Sequence, residues 1–387
     1  MRILHLDPDD LDNPLAGGGP VRTFEIYRRL ARRHEITVLT PTFPGSTPEL
    51  VRDGVRYVRL GRRMGEHGSS HHITFALALP RAVRRFDHDL LVEDFMPPAA
   101  ATWTPLFRRR DRPMIASVQW FFARAYSDWL KLPFHWGEDY GVRLYDHFVV
   151  LTDAMRERIA ARSPGADCRV IPNGVDDTLF DVPPVTAQAS RGVLFLGRTE
   201  MRAKGIDLLL QSLARLPEAT RPPLTIAGTV QDGDALNAAI DRLGLRAWVT
   251  LTGSYDAAQR ARPLRDCRVL AMPSRDETFG MTIAEANAAA RVALVWDRAP
   301  MNEVAAPDCP RVAPYDVDAY AAALAAVLAM PDDALARRGD AVRAWARQYD
   351  WDSVAAAQEA FYVDVMERFA AARRRGKAVD GGPPNGR

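Results

Sequence analysis

The sequence predicts an α/β protein with two successive domains, each built on a parallel β-sheet that helices cover on both faces. Short and almost continuously apolar runs recur along the 387 residues, with helical segments between them. Strands of this composition are typical of parallel sheets buried on both sides. The pattern stops in a stretch rich in Pro, Asn and Asp at 171–190 and then restarts, which indicates a connection between two domains of similar construction.

The first half opens as a βαβ unit. A strand-like run is followed by a loop that ends in Gly17, Gly18 and Gly19, and an amphipathic helix begins after Pro20, a residue suited to the first helical turn. The runs that predict strands here are 1–6, 36–39, 55–60, 90–92, 114–118 and 148–151. We assign residues 1–180 to this N-terminal Rossmann-like domain.

The second half repeats the alternation. Its predicted strands are 193–196, 224–227, 248–251, 269–272 and 292–295. We assign residues 190–355 to a C-terminal Rossmann-like domain, and we expect a helix at 356–372 to pack back on the N-terminal domain. Residues 373–387 lack apolar periodicity, and we predict that they are disordered.

Composition excludes several classes of protein. The 51 Lys and Arg residues against 49 Asp and Glu leave a net charge of +2, which argues against a nucleic-acid binder. The cysteines Cys168, Cys267 and Cys309 are too widely spaced for a disulfide framework or a CxxC metal pair. The acidic N-terminus is unlike a signal peptide, and no apolar run is long enough to span a bilayer. We therefore expect a cytoplasmic protein, with contact at the inner face of the membrane left open and its oligomeric state unreadable.

The segment 273–290 carries the strongest chemical signal. A predicted strand ends at Pro273, a polar loop carries Glu277, and Phe279-Gly280 leads into a helix that contains Glu285. The N-terminus of such a helix offers backbone N–H groups and a positive dipole end to a phosphate. The two glutamates could accept hydrogen bonds from sugar and ribose hydroxyls, whereas alone they would be taken for solvated acids.

A second signal follows the first strand of the C-terminal domain. Arg198 and Lys204 lie in one loop, at the sheet edge where α/β folds bind ligands, and together they could neutralise a diphosphate without a metal. The default alternative is two surface cations. No Gly-Lys-Ser/Thr follows, so the loop is not a Walker A motif, and the glycine run at 17–19 is not a GxGxxG fingerprint.

Together with PNGVD at 172–176, these motifs resemble glycosyltransferase family 4, the retaining enzymes of the GT-B fold. The resemblance runs from Met1 to about Tyr362 and rests on the E-x7-E pair Glu277 and Glu285 and on the R-x5-K pair Arg198 and Lys204. It implies two Rossmann-like domains facing each other across a cleft. It also implies transfer of a hexose-type sugar from a UDP- or GDP-sugar to a hydroxyl of a small-molecule, lipid-linked or saccharide acceptor.

The resemblance assigns a role to each motif residue. Arg198, Lys204 and Glu277 would be catalytic, with the two cations stabilising the leaving diphosphate and Glu277 holding the transferred sugar. Glu285 would hold the donor ribose. The other residues expected to bind the donor are Gly17, Gly18, Gly19, Phe279, Gly280, Met281 and Thr282. A nucleotide-sugar is then the co-substrate, and neither a cofactor nor a metal is expected.

The sequence departs from the family near the expected acceptor site. Gln119 stands where the family often carries His at the end of a strand, and Trp120 follows it; both are candidate acceptor-binding residues. After the E-x7-E helix, the usual Gly and Pro are replaced by Ala290-Arg291-Val292.

Two alternatives to a transferase remain open from the residues. One is another enzyme on the same architecture, such as a nucleotide-sugar epimerase, and the other is a non-catalytic nucleotide-sugar binder, which Gln119 favours.

The arginines of the first helix, Arg22, Arg28, Arg29, Arg32 and Arg33, would suit docking to anionic lipid or would form an ordinary solvated face.

Overall fold

The computed structural model divides into two compact units. It describes residues 1–13, 16, 18–62, 70–96, 104–119, 121, 127, 134–185, 192–255, 259 and 261–380. The first unit combines Met1–Pro172 with the segment that begins at Asp352, and the second unit is Asn173–Trp351. Both are α/β units with parallel strands, which confirms the predicted fold class.

The first unit contains an eight-stranded sheet in the order β3-β4-β2-β1-β5-β6-β7-β8. Only β3 and β4 pair antiparallel among its neighbouring strands, and the other pairs are parallel. The strands are β1 (Arg2–Leu6), β2 (Glu35–Pro41), β3 (Glu49–Arg52), β4 (Val55–Leu60), β5 (Leu90–Asp94), β6 (Met114–Val118), β7 (His147–Val150) and β8 (Asp167–Val170).

Helices cover this sheet and enclose its core. They are α1 (Gly19–Leu30), α2 (Ser70–Arg85), α3 (Thr104–Phe107), α4 (Phe134–Gly141), α5 (Asp153–Ala160) and a final helix at Trp351–Asp380, together with a short 3-10 turn at Val142–Leu144. The core joins apolar side chains of β1, β5 and β7 to those of α2, with Leu6, Phe75, Leu91 and Phe148 all less than 3% exposed.

The second unit holds a fully parallel six-stranded sheet in the order β11-β10-β9-β12-β13-β14. Its strands are β9 (Gly192–Leu196), β10 (Leu224–Ala227), β11 (Val249–Gly253), β12 (Cys267–Met272), β13 (Ala293–Trp296) and β14 (Arg311–Val312).

The helices of the second unit alternate with these strands. They are α6 (Ile206–Arg215), α7 (Gly233–Arg242), α8 (Ala261–Asp266), α9 (Met281–Ala288), α10 (Met301–Val304), α11 (Val317–Leu328) and α12 (Asp332–Ala346). The final helix of the chain, Trp351–Asp380, which packs in the first unit, is α13. Short 3-10 turns lie at Asp177–Asp181, Glu218–Thr220 and Arg347–Tyr349.

The unit boundaries differ from the predicted ones at both ends. The first unit ends at Pro172 rather than at residue 180 and resumes at Asp352 rather than at 356. Helix α13 continues to Asp380 and so includes residues 373–380 of the segment for which the sequence predicts disorder. Ala, Arg and Lys, which are strong helix formers, extend the helix beyond its buried face.

Arg22, Arg28 and Arg29 of α1 have partners inside the first unit. The buried Arg22 guanidinium donates to the carbonyls of Ile171 and Pro172 and to the side chain of Gln358. Arg28 pairs with Glu25, and Arg29 pairs with Glu25 and Asp352. Arg33, which follows the helix, pairs with Glu359.

Among the described residues, no single helix has both the length and the apolar composition needed to cross a membrane. One helix pair, Val317–Leu328 with Asp332–Tyr349, passes the same test together but is bent by 109° at its break.

Candidate functional site

Two loops of the second unit converge because they follow neighbouring strands. Strands β9 and β12 are adjacent and parallel, so their carboxyl ends meet at one edge of the sheet. The loop at 197–205 follows β9 and the loop at 273–280 follows β12. These are the two loops in which the sequence predicts the catalytic residues.

Backbone contacts lock the two loops together. The carbonyl of Ala203 accepts hydrogen bonds from the backbone N–H groups of Arg275 and Asp276, at 2.9 and 3.1 Å. Gly205 has φ +65°, and a Cβ atom there would lie 1.9 Å from the carbonyl oxygen of Pro273. Only glycine allows this approach together with this backbone conformation.

The approach of the loops brings Lys204 and Glu277 into direct contact. Lys204 Nζ donates to Glu277 Oε1 at 2.7 Å, and the two side chains are only 16% and 9% exposed. The predicted catalytic pair therefore forms a largely buried ion pair at the carboxyl edge of the sheet. A lysine held in this way can present its remaining N–H donors to an anion.

Arg198 lies in the same loop but is not part of this ion pair. Its guanidinium pairs with Glu200 at 3.0 Å and is 61% exposed. An exposed arginine retains the freedom to turn towards an anionic ligand. Glu200 has no motif signal in the sequence, because an acid two residues after Arg198 looks like an ordinary surface residue.

Helix α9 begins directly after the second loop and supplies the predicted phosphate-binding end. Gly280 is its N-cap residue, with φ +97°, and no side chain caps this end in the described structure. Its first backbone N–H groups, at Met281 and Thr282, can therefore serve a ligand. Thr282 also directs its hydroxyl to Met272 Sδ at 3.4 Å.

Phe279 and Glu285 are both buried. Phe279 is 1% exposed and packs edge-to-face on Tyr349, with ring centroids 5.7 Å apart. Its side chain is therefore part of the core, which leaves only its backbone for a ligand. Glu285 lies on α9, four residues after Met281, and is 3% exposed.

A third loop positions the Arg198 loop, and no motif in the sequence points to it. Gln231 N donates to Thr199 Oγ1, and Met201 N donates to Asp232 Oδ2, each at 2.9 Å. Thr199 is 1% exposed and its backbone N–H donates to Thr229 O at 3.0 Å. The loop after β10 thus fixes the start of the loop that carries both cations.

The predicted glycine and acceptor residues lie in the first unit. Gly18 is the N-cap residue of α1 and Gly19 its first residue. Gln119 follows β6, and its amide donates to Asp94 Oδ2 at 2.7 Å. Gly17 and Trp120 lie outside the described residues.

Three buried polar residues lie at the same edge of the first sheet as Gln119, and no sequence motif points to them. His5, Asp7 and Asp94 lie at the carboxyl ends of the adjacent strands β1 and β5, and each is less than 7% exposed. Burial and the nearby Asp94 carboxylate hold the pKa of Asp7 well above its usual range. The available signal was charge within or directly after otherwise apolar strands.

The buried Arg22 guanidinium lies in the same region. Burial lowers its pKa to about 10, so it stays charged at neutral pH. Tyr27 on α1 hydrogen-bonds His5 Nδ1 at 2.6 Å and Tyr362 on α13 at 3.1 Å.

Sequence comparisons identify relatives of both units. The family model described as Glycosyltransferase Family 4 matches residues 16–179, and the model described as Glycosyl transferases group 1 matches residues 190–330. A phosphatidyl-myo-inositol mannosyltransferase of Mycolicibacterium smegmatis is 30% identical over 375 residues, which cover 92% of each chain. A D-inositol 3-phosphate glycosyltransferase of Xylanimonas cellulosilytica is 28% identical and covers 95% of this chain and 97% of its own.

Solved structures share the fold at low sequence identity. Sucrose-phosphate synthase from Thermosynechococcus elongatus superposes with a TM-score of 0.76 at 18% identity, over 95% of this chain and 99% of its own. Anabaena HepE, solved in complex with UDP and glucose, gives a TM-score of 0.71 at 16% identity, over 94% and 99% of the two chains. These neighbours confirm that the fold is GT-B.

Proposed function

The chain belongs to glycosyltransferase family 4, and from that premise we propose that it is a retaining hexosyltransferase with a nucleoside-diphosphate sugar as donor. Its relatives support transfer of a sugar to an acceptor. The proposal adds the donor class, the stereochemical outcome and the residues that act. UDP and GDP are the candidate nucleotides.

The buried Lys204–Glu277 ion pair is the observation that carries this proposal. A partly buried ammonium group beside an uncapped helix N-terminus provides positive potential where a diphosphate would lie. Glu277 holds Lys204 in place and keeps carboxylate lone pairs for sugar hydroxyls. Glu285, on the next turn of α9, is assigned to the ribose.

In the proposed reaction, the acceptor hydroxyl attacks the anomeric carbon on the face that the diphosphate leaves. The bond from that carbon to the diphosphate oxygen breaks, and the departing phosphate receives the hydroxyl proton. Lys204 and Arg198 stabilise the negative charge on the leaving group. We propose that no metal takes part at this donor site, since two cations and the helix end supply the positive charge.

The acceptor is proposed to be a hydroxyl compound bound by the first unit near Gln119. The names of two relatives refer to phosphatidyl-myo-inositol and D-inositol 3-phosphate, so inositol-type acceptors come first in a screen, ahead of saccharides. Contact with a membrane surface is part of the proposal only for a lipid-linked acceptor.

The first experiment is thermal unfolding of the full chain with UDP, GDP, ADP and dTDP, followed by the matching sugar nucleotides. A nucleotide at a hundred times its dissociation constant should stabilise the protein by about 2.7 kcal/mol. The nucleotide that binds then selects the donor for transfer assays with inositol phosphate, phosphatidylinositol and simple sugars. NMR of the product reads its anomeric configuration.

The outcomes separate the candidate functions. Product with the donor's configuration, at a rate that Mg²⁺ and Mn²⁺ do not increase, supports the proposal. An inverted product contradicts the retaining mechanism. Binding without donor hydrolysis or transfer favours a nucleotide-sugar binder, and an altered sugar nucleotide without transfer favours an epimerase. No response to any nucleotide contradicts the assigned donor site.

A further inference from the structure

A compact set of potential metal ligands lies in the first unit. His5, Asp7 and Asp94 each offer one ligand atom, and these atoms all lie within 4.8 Å of one another. The three residues are 4%, 2% and 6% exposed. Because they come from the ends of adjacent strands, the sheet itself fixes their separation.

Each of these three side chains also forms a hydrogen bond with a residue outside the cluster. Tyr27 contacts His5 Nδ1 at 2.6 Å, Gln119 donates to Asp94 Oδ2 at 2.7 Å, and Asp9 N donates to Asp7 Oδ1 at 3.0 Å. Metal ligands are commonly oriented by such outer partners, which fix the tautomer of a histidine and the plane of a carboxylate.

The inward atoms of His5 and Asp94 face each other without a hydrogen bond. His5 Nε2 lies 3.3 Å from Asp94 Oδ1, and both atoms are buried without a hydrogen-bond partner in the described structure. Two ligands bound tetrahedrally to Zn²⁺ at their usual bond lengths are roughly 3.3 to 3.5 Å apart. The separation of the two atoms therefore fits a shared cation.

Charge and space around the cluster agree with this assignment. The buried Arg22 interacts electrostatically with Asp94, while its guanidinium donates to carbonyl groups and Gln358. A cavity of about 10 Å³ is lined in part by His5, Tyr27 and Gln119, so it reaches one of the three ligand residues and is about the size that one water molecule needs.

We propose that His5, Asp7 and Asp94 bind one divalent transition-metal ion, with Zn²⁺ the best suited. One imidazole and two carboxylates favour Zn²⁺ over Mg²⁺ or Ca²⁺, which prefer ligand sets made of oxygen alone. The ion is structural: it ties β1 to β5 and, through Asp94, sets the position of the Gln119 amide.

The test uses the full-length chain without an affinity tag, stripped with a chelator and then dialysed against Zn²⁺. Elemental analysis should find about one Zn²⁺ per chain, and the melting temperature should rise by several degrees over the stripped protein. His5→Asn and Asp94→Asn should each lower the bound metal at least tenfold. His34→Gln is the matched control, since His34 pairs with Glu359 elsewhere in the same unit and its loss should leave the metal content unchanged.

A spectroscopic measurement on the wild type keeps the proposal testable if the variants fail to fold. Co²⁺ bound in place of Zn²⁺ should give a visible absorption band, and X-ray absorption should show one nitrogen ligand with the remainder oxygen. If the His5 and Asp94 variants bind as much metal as the parent, the ion is bound elsewhere in the protein. Absence of both metal and thermal shift means that the cluster binds no divalent ion, and either result overturns the proposal.

Discussion

At the scale of single residues, Lys204 is the cation on which the proposed transfer depends most. It is largely buried and held by Glu277, whereas Arg198 is exposed. We predict that Lys204→Ala lowers kcat by roughly two to three powers of ten, the usual loss when one preorganised charge partner is removed. Steady-state kinetics with the identified donor measures the change.

The kinetic result requires a control for folding and for general loss of charge. Arg215→Ala removes a surface cation of α6 that pairs with Asp318, and its side chain is 63% exposed. This variant should retain the parent kcat. Turnover of Lys204→Ala within a few-fold of the parent, with an unchanged melting temperature, contradicts the assignment of Lys204.

The buried carboxyl group of Glu93 makes a prediction about stability. Glu93 accepts hydrogen bonds from Thr104 and Tyr145, at 2.6 and 2.9 Å, and burial raises its pKa to about 8. Between its ordinary pKa and about 8, the folded state holds a proton that the unfolded state has released. The free energy of unfolding must therefore fall as the pH rises through this range and level off above it.

We predict that Glu93→Gln removes this contribution to the pH dependence. The amide is neutral at every pH, so the variant should gain stability relative to the parent as the pH rises from 5 to 8. Urea unfolding at several pH values measures the difference. Glu157→Gln, which changes an exposed glutamate of α5, should track the parent, and a constant offset between Glu93→Gln and the parent would rule out the raised pKa.

At the scale of elements, Gly205 controls how closely the loops after β9 and β12 approach. Gly205 and Gly244 have nearly the same backbone conformation, with φ +65° and +66°, but a Cβ would meet Pro273 O at 1.9 Å only at Gly205. At either site, Ala loses about 1 to 2 kcal/mol of stability because it must adopt the left-handed conformation. Gly205→Ala must in addition push the loops apart.

We therefore expect Gly205→Ala to destabilise the protein more than Gly244→Ala and to reduce turnover, because it separates Lys204 from Glu277. Chemical denaturation and steady-state kinetics on the matched pair measure both effects. Equal losses in the two variants show that the contact at Pro273 does not constrain the loops.

The sequence predicts the central strands well and the edge strands poorly, for a physical reason. Central strands are buried on both faces, so Met114–Val118 and Leu224–Ala227 appear as apolar runs with the correct bounds. The missed strands β3 and β8 each pair with a single neighbour and carry charged residues, as edge strands do. Their sequences ELVR and DCRV have no apolar run to detect.

The candidate site likewise has residues that the sequence predicts and contacts that it does not. Spacing and local context predict Lys204, Glu277 and the N-terminus of α9, because each belongs to a loop, or to the end of a loop, that follows a recognisable strand. Contacts that depend on which strands are neighbours remain hidden in the sequence. The pairing of His5 on β1 with Asp94 on β5 requires the strand order, which no local pattern encodes.

At the scale of the whole molecule, the first unit is completed by a segment that follows the second unit in the chain. Helix α13 contributes Tyr362, which is 2% exposed and bonds to Tyr27 of α1, and Glu359, which pairs with His34. The first unit therefore cannot reach its full stability until the last helix is in place, whereas the second unit is continuous in sequence.

We predict that Tyr362→Ala destabilises the first unit selectively, by roughly 3 to 5 kcal/mol, the usual loss for a buried aromatic side chain. Hydrogen exchange measured by mass spectrometry should become faster in α1 and β1 and stay unchanged in β9 and β12, because opening follows cooperative units. Val363→Ala, which truncates a neighbouring side chain that is 39% exposed, should leave both regions protected. Faster exchange in both sheets of Tyr362→Ala would mean that the chain unfolds as one cooperative unit, so that α13 supports the second unit as well as the first.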